Sequence, residues 1–249
     1  MKRALAMLLS AGLILGMGCG NYDYRLGKTL EEMRYREKLK ANLIEAPTKG
    51  RLEQLAIYVR PPLNLEGPTQ TFAMATLEPG RFDVENSFID QNKQESLHLL
   101  ARVKQPKSPN AKKSASTAAE AARGDFKTEV VEIVKNIYGA DLEVNQFKDE
   151  TKRHANRSNT FKTKTLDLAA KKVQIYFYGD KNSPYEVALV FEYPTAEHAA
   201  INPRISLCLE SFALGEAAKK AFAGGGELEG GGEEGDGGGG GGAGAGPPI

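Results

Sequence analysis

The chain has 249 residues, of which 41% are hydrophobic and 26% are charged, so it can build one or two folded domains around an ordinary apolar core. Its 33 basic and 32 acidic side chains nearly cancel, which argues against a global basic field for binding nucleic acid. Only two cysteines occur, Cys19 and Cys208, so a dense disulfide framework is excluded.

The first nineteen residues have the layout of an export signal. Lys2 and Arg3 give a positive start, residues 4–15 are mostly apolar, and small residues then lead to Cys19. The apolar run is shorter than the ~20 residues of a membrane-spanning helix. The segment resembles the signal of bacterial lipoproteins, in which the cysteine after the cleavage point receives lipid and becomes the mature N-terminus.

This resemblance implies a signal peptide at 1–18 and lipidation of Cys19, the one site residue that the sequence indicates. In such lipoproteins, an Asp after the cysteine favours retention at the inner membrane. Gly20 at this position therefore implies localisation to the periplasmic side of the outer membrane. Gly16 and Gly18 also fit the small-x-small rule of ordinary secretory cleavage, which would leave a secreted or soluble periplasmic protein. If Cys19 carries lipid, Cys208 has no disulfide partner.

Residues 29–103 are predicted to hold one helix and several antiparallel strands. Residues 19–28 are interpreted as a tether, and Thr29 with Glu32 forms a capping-box pattern that predicts a helix over 29–42. The charges on this helix favour a solvated surface helix, whereas its nearness to Cys19 favours a membrane-surface or partner-binding helix. Strands are predicted at 55–59, 72–77, 82–89 and 96–103.

The strand at 96–103 alternates apolar residues with His98 and Arg102. This alternation places His98 outward or in a second, more polar layer. Residues 104–124 are rich in Pro, Ser, Ala and Lys and have no strand periodicity, so they are predicted to be a flexible basic insertion or linker.

Residues 125–223 carry the clearest periodic signals. A helix is predicted between Asp125 as N-cap and Gly139 as C-cap residue, with its apolar face formed by Phe126, Val130, Ile133, Val134 and Ile137. Four strands are predicted at 142–147, 161–168, 173–178 and 185–193, with one buried and one wetter sheet face. A last helix is predicted from Asn202 and Pro203, with an apolar face of Ile205, Cys208, Leu209 and Phe212.

The predicted class is α+β, a mostly antiparallel sheet covered by helices. The α-β-β-β-β-α order of the second half resembles the Mog1/PsbP-like folds, and the resemblance carries no function. Residues 224–249 are Gly-rich, acidic and without basic residues, so they are predicted to be a disordered tail.

The sequence indicates no catalytic, cofactor-binding or metal-ligating residue. Its three histidines, His98, His154 and His198, have no second ligand at helical or hairpin spacing. Cys208 is interpreted as a small buried hydrophobe. No G-x-S-x-G motif marks a nucleophilic serine.

Two basic stretches could contact anionic lipid headgroups or cell-wall polymer, or could simply be solvated charge. They comprise Lys104, Lys107, Lys112 and Lys113, and then Lys152, Arg153, Arg157, Lys162 and Lys164. We therefore expect an exported, lipid-anchored envelope protein that acts as a binding or structural module. The alternatives are a periplasmic enzyme whose site is assembled from scattered residues, and a subunit of an envelope assembly with a protein partner.

Overall fold

A computed structural model describes residues 2–44, 50–69, 81–92, 94–104, 124–154, 157–179, 183–216 and 218–219. The predicted strand at 72–77, residues 105–123 of the predicted linker and the Gly-rich tail 224–249 lie outside these residues.

The described residues form helices, strands and two short 3-10 turns. The helices are α1 (Lys2–Asn42), α2 (Arg51–Gln54), α3 (Phe126–Tyr138) and α4 (His198–Ser211). The strands are β1 (Ile57–Tyr58), β2 (Glu66–Thr69), β3 (Val84–Ile89), β4 (Ser96–Val103), β5 (Lys148–His154), β6 (Arg157–Asp167), β7 (Lys171–Tyr178), β8 (Tyr185–Pro194) and β9 (Ala213–Leu214). The 3-10 turns are Val144–Gln146 and Thr195–Glu197.

Seven of the described strands form one antiparallel sheet in the order β2-β3-β4-β8-β7-β6-β5. The sheet consists of two meanders, β2 to β4 and β5 to β8, which meet where β4 pairs with β8 from Ser96↔Glu192 to Val103↔Tyr185. β1 and β9 form a separate small pair. The predicted α+β class, with an antiparallel sheet covered by helices, is confirmed.

Both faces of the central strands are buried. On one face, Leu97 of β4 and Leu189 of β8 pack with Leu39 at the end of α1 and with α4. On the other face, Val190 of β8 packs with α3. The expectation of one wetter face is therefore wrong for the centre of the sheet, because helices cover it on both sides.

α1 extends further toward the N-terminus than the capping-box pattern predicts. It runs continuously through residues 20–28, and Thr29 lies inside it, where its Oγ1 donates to the carbonyl of Arg25 at 2.9 Å. Serine and threonine hydroxyls often bond one turn back in this way, so Thr29 does not act as an N-cap. Within the described residues, no helix is both long enough and apolar enough to cross a membrane.

α3 agrees closely with its prediction. The Asp125 carboxylate accepts a hydrogen bond from the Thr128 amide at 3.0 Å, and Gly139 ends the helix at a φ of 62°. One residue of the predicted apolar face differs, since Ile137 is 42% exposed. Tyr138 packs against the core in its place, and its hydroxyl donates to the Glu192 carboxylate at 2.5 Å.

The predicted strand at 142–147 is wrong. Leu142 and Phe147 are buried, but they flank the 3-10 turn and fill the core from a loop. The strand lies next along the chain, at β5, whose residues are all polar or charged. Such a sequence suits the edge of a sheet, where charged side chains discourage pairing with other chains.

α4 begins four residues before the predicted start. Asn202 and Pro203 lie inside the helix, which is entered from the 3-10 turn Thr195–Glu197. The predicted apolar face is confirmed, since Ile205, Cys208, Leu209 and Phe212 are all buried.

Arg102 connects the end of β4 to the start of α3. Its guanidinium donates to the carbonyls of Arg81 and Gly124, each at 2.9 Å, and forms an ion pair with Glu129. It also lies 5.1 Å from the ring centre of Phe82. These contacts fix the two elements that flank residues 105–123.

Candidate binding groove

A polar groove lies where β5, β6 and β7 pass beside α4. It encloses about 340 Å³. Its lining is Gln146, Lys148, Glu150, Lys152, Thr163, Lys164, Thr165, Gln174, Tyr176 and Asn202. Most of these side chains can donate or accept hydrogen bonds, which distinguishes the groove from the two apolar cores.

Strand register brings the floor of the groove together. Lys148 of β5 is paired with Thr163 of β6, which is paired with Tyr176 of β7. Thr165 is likewise paired with Gln174. Because directly paired residues of antiparallel strands project to the same face, these side chains form two polar rows beside α4.

The deepest polar groups are Gln174 and Tyr176, which are 6% and 4% exposed. The Tyr176 hydroxyl donates to Gln174 Oε1 at 3.1 Å, and Gln174 Nε2 reaches Asn202 Oδ1 of α4 at 3.5 Å. Burial raises the pKa of Tyr176 well above its ordinary value. The phenol therefore stays protonated at neutral pH and acts as a hydrogen-bond donor.

Lysines dominate the rim. The Lys152 ammonium lies 2.6 Å from the Glu150 carboxylate and donates to Ser206 Oγ of α4 at 2.8 Å. Among the described residues, Lys148 forms no ion pair. One carboxylate and two ammonium groups therefore leave the rim net positive.

The structure divides the second basic stretch between two faces of the sheet. Lys152 lines the groove. Lys162 and Lys164 project to the opposite face, since they are paired with Phe177 and Ile175 of the core beneath α3. There the Lys162 ammonium lies 3.0 Å from the Asp149 carboxylate in a second cavity. Arg153 is exposed, and the side chain of Arg157 lies outside the described part of the structure.

In the first basic stretch, Lys104 pairs with Glu186 at 2.9 Å. The remaining members, Lys107, Lys112 and Lys113, lie outside the described residues.

The three histidines lie apart from one another and from the groove. His98 is 1% exposed. The alternative that placed it outward is therefore wrong, and it lies in a second, more polar layer. Its ring nitrogens lie 2.8 Å from the Ser87 hydroxyl and 3.0 Å from the Ser96 hydroxyl. Burial lowers the pKa of His98 to about 4, so it is a weak base at neutral pH.

The other two histidines contact tyrosines. His154 stacks on Tyr35 of α1 with ring planes 10° apart, and His198 lies 2.9 Å from the Tyr193 hydroxyl. Across the described residues, no group of three or more His, Cys, Asp or Glu side chains is placed to hold a metal ion.

The two cysteines differ in their surroundings. Cys19 lies within α1. Cys208 is completely buried in α4, and burial raises the pKa of its thiol to about 12. The thiol is therefore an inert part of the core.

Sequence reasoning missed the groove, although one signal for it was present. Gln174 and Tyr176 alternate with the apolar residues of β7, and that alternation indicated only a wetter face. Which elements would stand beside that face depended on strand pairing and on the position of α4. The sequence alone does not give either of these.

Comparisons with known proteins add little to this description. No family model matches the chain, and no curated protein matches it. Solved structures of weak similarity include the following two. One is cyanobacterial PsbP (CyanoP) from Synechocystis sp. PCC 6803, with 10% identity, a TM-score of 0.41, and coverage of 70% of this chain and 94% of that one. The other is the Ran-binding protein Mog1p from Saccharomyces cerevisiae, with 11% identity, a TM-score of 0.30, and coverage of 61% and 82%.

Proposed function

We propose that this chain is an exported, lipid-anchored envelope protein whose folded unit acts by binding, with the groove beside α4 as its ligand site. The observation that carries the binding role is the groove itself, a concave surface with buried hydrogen-bonding groups on its floor and lysines on its rim. Its volume of about 340 Å³ falls within the usual range for ligand sites.

Export and anchoring rest on the N-terminal sequence. The positive start, the apolar run and the small residues converge on Cys19, which receives the lipid in this proposal. Gly20 supports placement on the periplasmic side of the outer membrane, because it is not the Asp that favours retention at the inner membrane.

The chemistry of the groove favours a hydroxyl-rich, anionic ligand. Hydroxyl and amide groups such as those of Thr163, Thr165 and Gln174 exchange hydrogen bonds with sugar hydroxyls. The ammonium groups of Lys148 and Lys152 suit carboxylates. In the cell envelope, both kinds of group occur together in cell-wall polymer, whose glycan strands carry carboxylated peptides.

The anchor is tested by metabolic labelling with a tagged fatty acid. Wild type is expected to incorporate the label into the mature chain, and Cys19→Ser is expected to lose it. Equal labelling of the two chains, or no labelling of wild type, would overturn the lipid anchor.

The groove is tested by sedimentation of the folded mature chain with purified insoluble peptidoglycan. Replacing both Lys148 and Lys152 by Ala should weaken binding by roughly tenfold or more, because each lost charge-assisted contact is worth more than one neutral hydrogen bond. Lys135→Ala is the matched control, since Lys135 is an exposed lysine on α3, across the sheet from the groove. Equal binding by the double variant and the control would refute the groove as the site.

A further inference from the structure

One face of α1 carries an exposed apolar stripe before the helix reaches the folded unit. Tyr22, Leu26, Leu30 and Met33 are 66%, 45%, 44% and 53% exposed. At about 100° per residue, their spacing confines all four to roughly 80° of the helix circumference. We call these residues the α1 stripe.

No described part of the folded unit covers the α1 stripe. The helix packs against the core through Tyr35 and Leu39, which lie on the other side of the helix. Tyr35 also stacks on His154 at the end of β5. These contacts tie α1 to the sheet and leave the stripe facing away from it.

We propose that the α1 stripe lies in the headgroup layer of the membrane, as a second contact beside the lipid on Cys19. The inference rests on the proposed lipid anchor. Tyr22 follows Cys19 by three residues, a helical rise of roughly 4.5 Å, so a lipid at Cys19 holds the start of the stripe at the bilayer surface.

The composition of the stripe and its borders suits a lipid surface. Tyrosine is favoured at membrane interfaces, where its ring is apolar and its hydroxyl is hydrated, and leucine and methionine enter the acyl boundary. Arg25 and Arg34 are exposed and lie on opposite flanks of the stripe, each about a quarter turn from its centre. Their long side chains can reach lipid phosphates while their stems cover apolar surface.

The same stripe is poorly suited to a coiled coil with a second copy. Leu26, Leu30 and Met33 follow one another at spacings of four and three residues. The next positions in this pattern are Glu37 toward the C-terminus and Asp23 toward the N-terminus, and both are charged. Coiled coils need apolar residues at such positions over at least three or four heptads. The geometry therefore favours lipid as the occupant.

Membrane contact is tested with the mature chain carrying Cys19→Ser, which has no lipid. The chain contains no tryptophan, so Tyr22→Trp and Tyr24→Trp each introduce a single fluorescent reporter. Tyr24 is 72% exposed but lies on the far side of the helix from the stripe, which makes it the matched control. Vesicles contain equal amounts of phosphatidylethanolamine and phosphatidylglycerol, with or without brominated acyl chains.

On vesicle binding, the tryptophan at position 22 should shift to shorter wavelength and be quenched by brominated lipid, whereas the tryptophan at position 24 should stay in water. The triple variant Leu26→Gln, Leu30→Gln, Met33→Gln should bind vesicles roughly tenfold or more weakly. Leu63→Gln removes an apolar side chain that is 57% exposed outside α1, and it should bind like its parent. Circular dichroism checks that each variant keeps its helix.

The proposal is overturned by equal quenching at the two positions, by absence of vesicle binding in the parent, or by unchanged binding of the triple variant. A dimer of the parent in analytical ultracentrifugation that the triple variant abolishes would also overturn it, in favour of a second copy. Fatty-acid labelling of the native chain is scored separately. A labelled Cys19 without vesicle binding by the Cys19→Ser chain refutes the stripe contact alone, and vesicle binding with an unlabelled native chain refutes the anchor alone.

Discussion

The ion pair between Arg102 and Glu129 allows a quantitative test of how α3 is held to the sheet. The two side chains are 5% and 12% exposed, and Arg81 also contributes, with its Nε 2.6 Å from the Glu129 carboxylate. Glu129→Gln keeps the shape of the side chain and removes its charge. Arg102 would then remain buried with its bonds to two carbonyl groups but without a carboxylate.

Removing one partner of a buried ion pair costs about 3–5 kcal/mol. We expect the lower end, about 3 kcal/mol, because both carbonyl bonds remain and Gln still offers an acceptor oxygen. Glu132→Gln is the control. Glu132 lies on the same helix, is 60% exposed and is 3.6 Å from Arg81, so its loss should cost at most about 1 kcal/mol.

Urea unfolding of the three chains at neutral pH measures these differences. Burial by itself raises the pKa of the Glu129 carboxyl, but the hydrogen bond from Arg81 and the charge of Arg102 outweigh it and hold the pKa below its ordinary value. The stabilisation is therefore present above the carboxyl's pKa in the unfolded chain and is lost as the pH falls through its lower pKa in the folded state. A cost for Glu129→Gln no greater than that for Glu132→Gln would refute the reasoning.

Three further predictions concern buried groups and the predicted linker. Cys208 should react with a thiol reagent only after unfolding, and rapid reaction of the native thiol would place it at the surface. Cys208→Ser should destabilise the fold by about 1–3 kcal/mol without changing ligand binding. The ring of His98 should titrate near pH 4 in NMR spectra, and a midpoint near 6.5 would contradict its burial. The fold should lose stability as the pH falls from about 6.5 toward 4, because in that range only the unfolded chain binds a proton at this histidine. Limited proteolysis should first cut the interior of the chain within 104–124, and a first cut within 126–138 would contradict this organisation.

The sequence predicted elements well where local chemistry and burial agreed. Asp125 and Gly139 mark both ends of α3, and its apolar residues recur with helical spacing. β4 was predicted with its observed ends because its apolar residues alternate clearly. The positions of such elements can be predicted from the local sequence.

Elements at the edges of the sheet carried no such signal. β5 is polar or charged along its length, and β2 contains Gly67 and Pro68 within four residues. An edge strand buries little, so apolar alternation is absent and pairing with its neighbour decides its structure. The burial of His98 likewise depends on α3 covering the second face of β4, a contact distant in sequence.

Amide chemical-shift mapping tests the central claim most directly. The folded mature chain carrying Cys19→Ser is titrated with a soluble peptidoglycan fragment that contains both the disaccharide and its carboxylated peptide. The account predicts shifts that cluster at Thr163, Thr165, Gln174 and Asn202 and that vanish when Lys148 and Lys152 are both Ala. Shifts confined to the α3 side of the sheet, or no shifts at all, would contradict it.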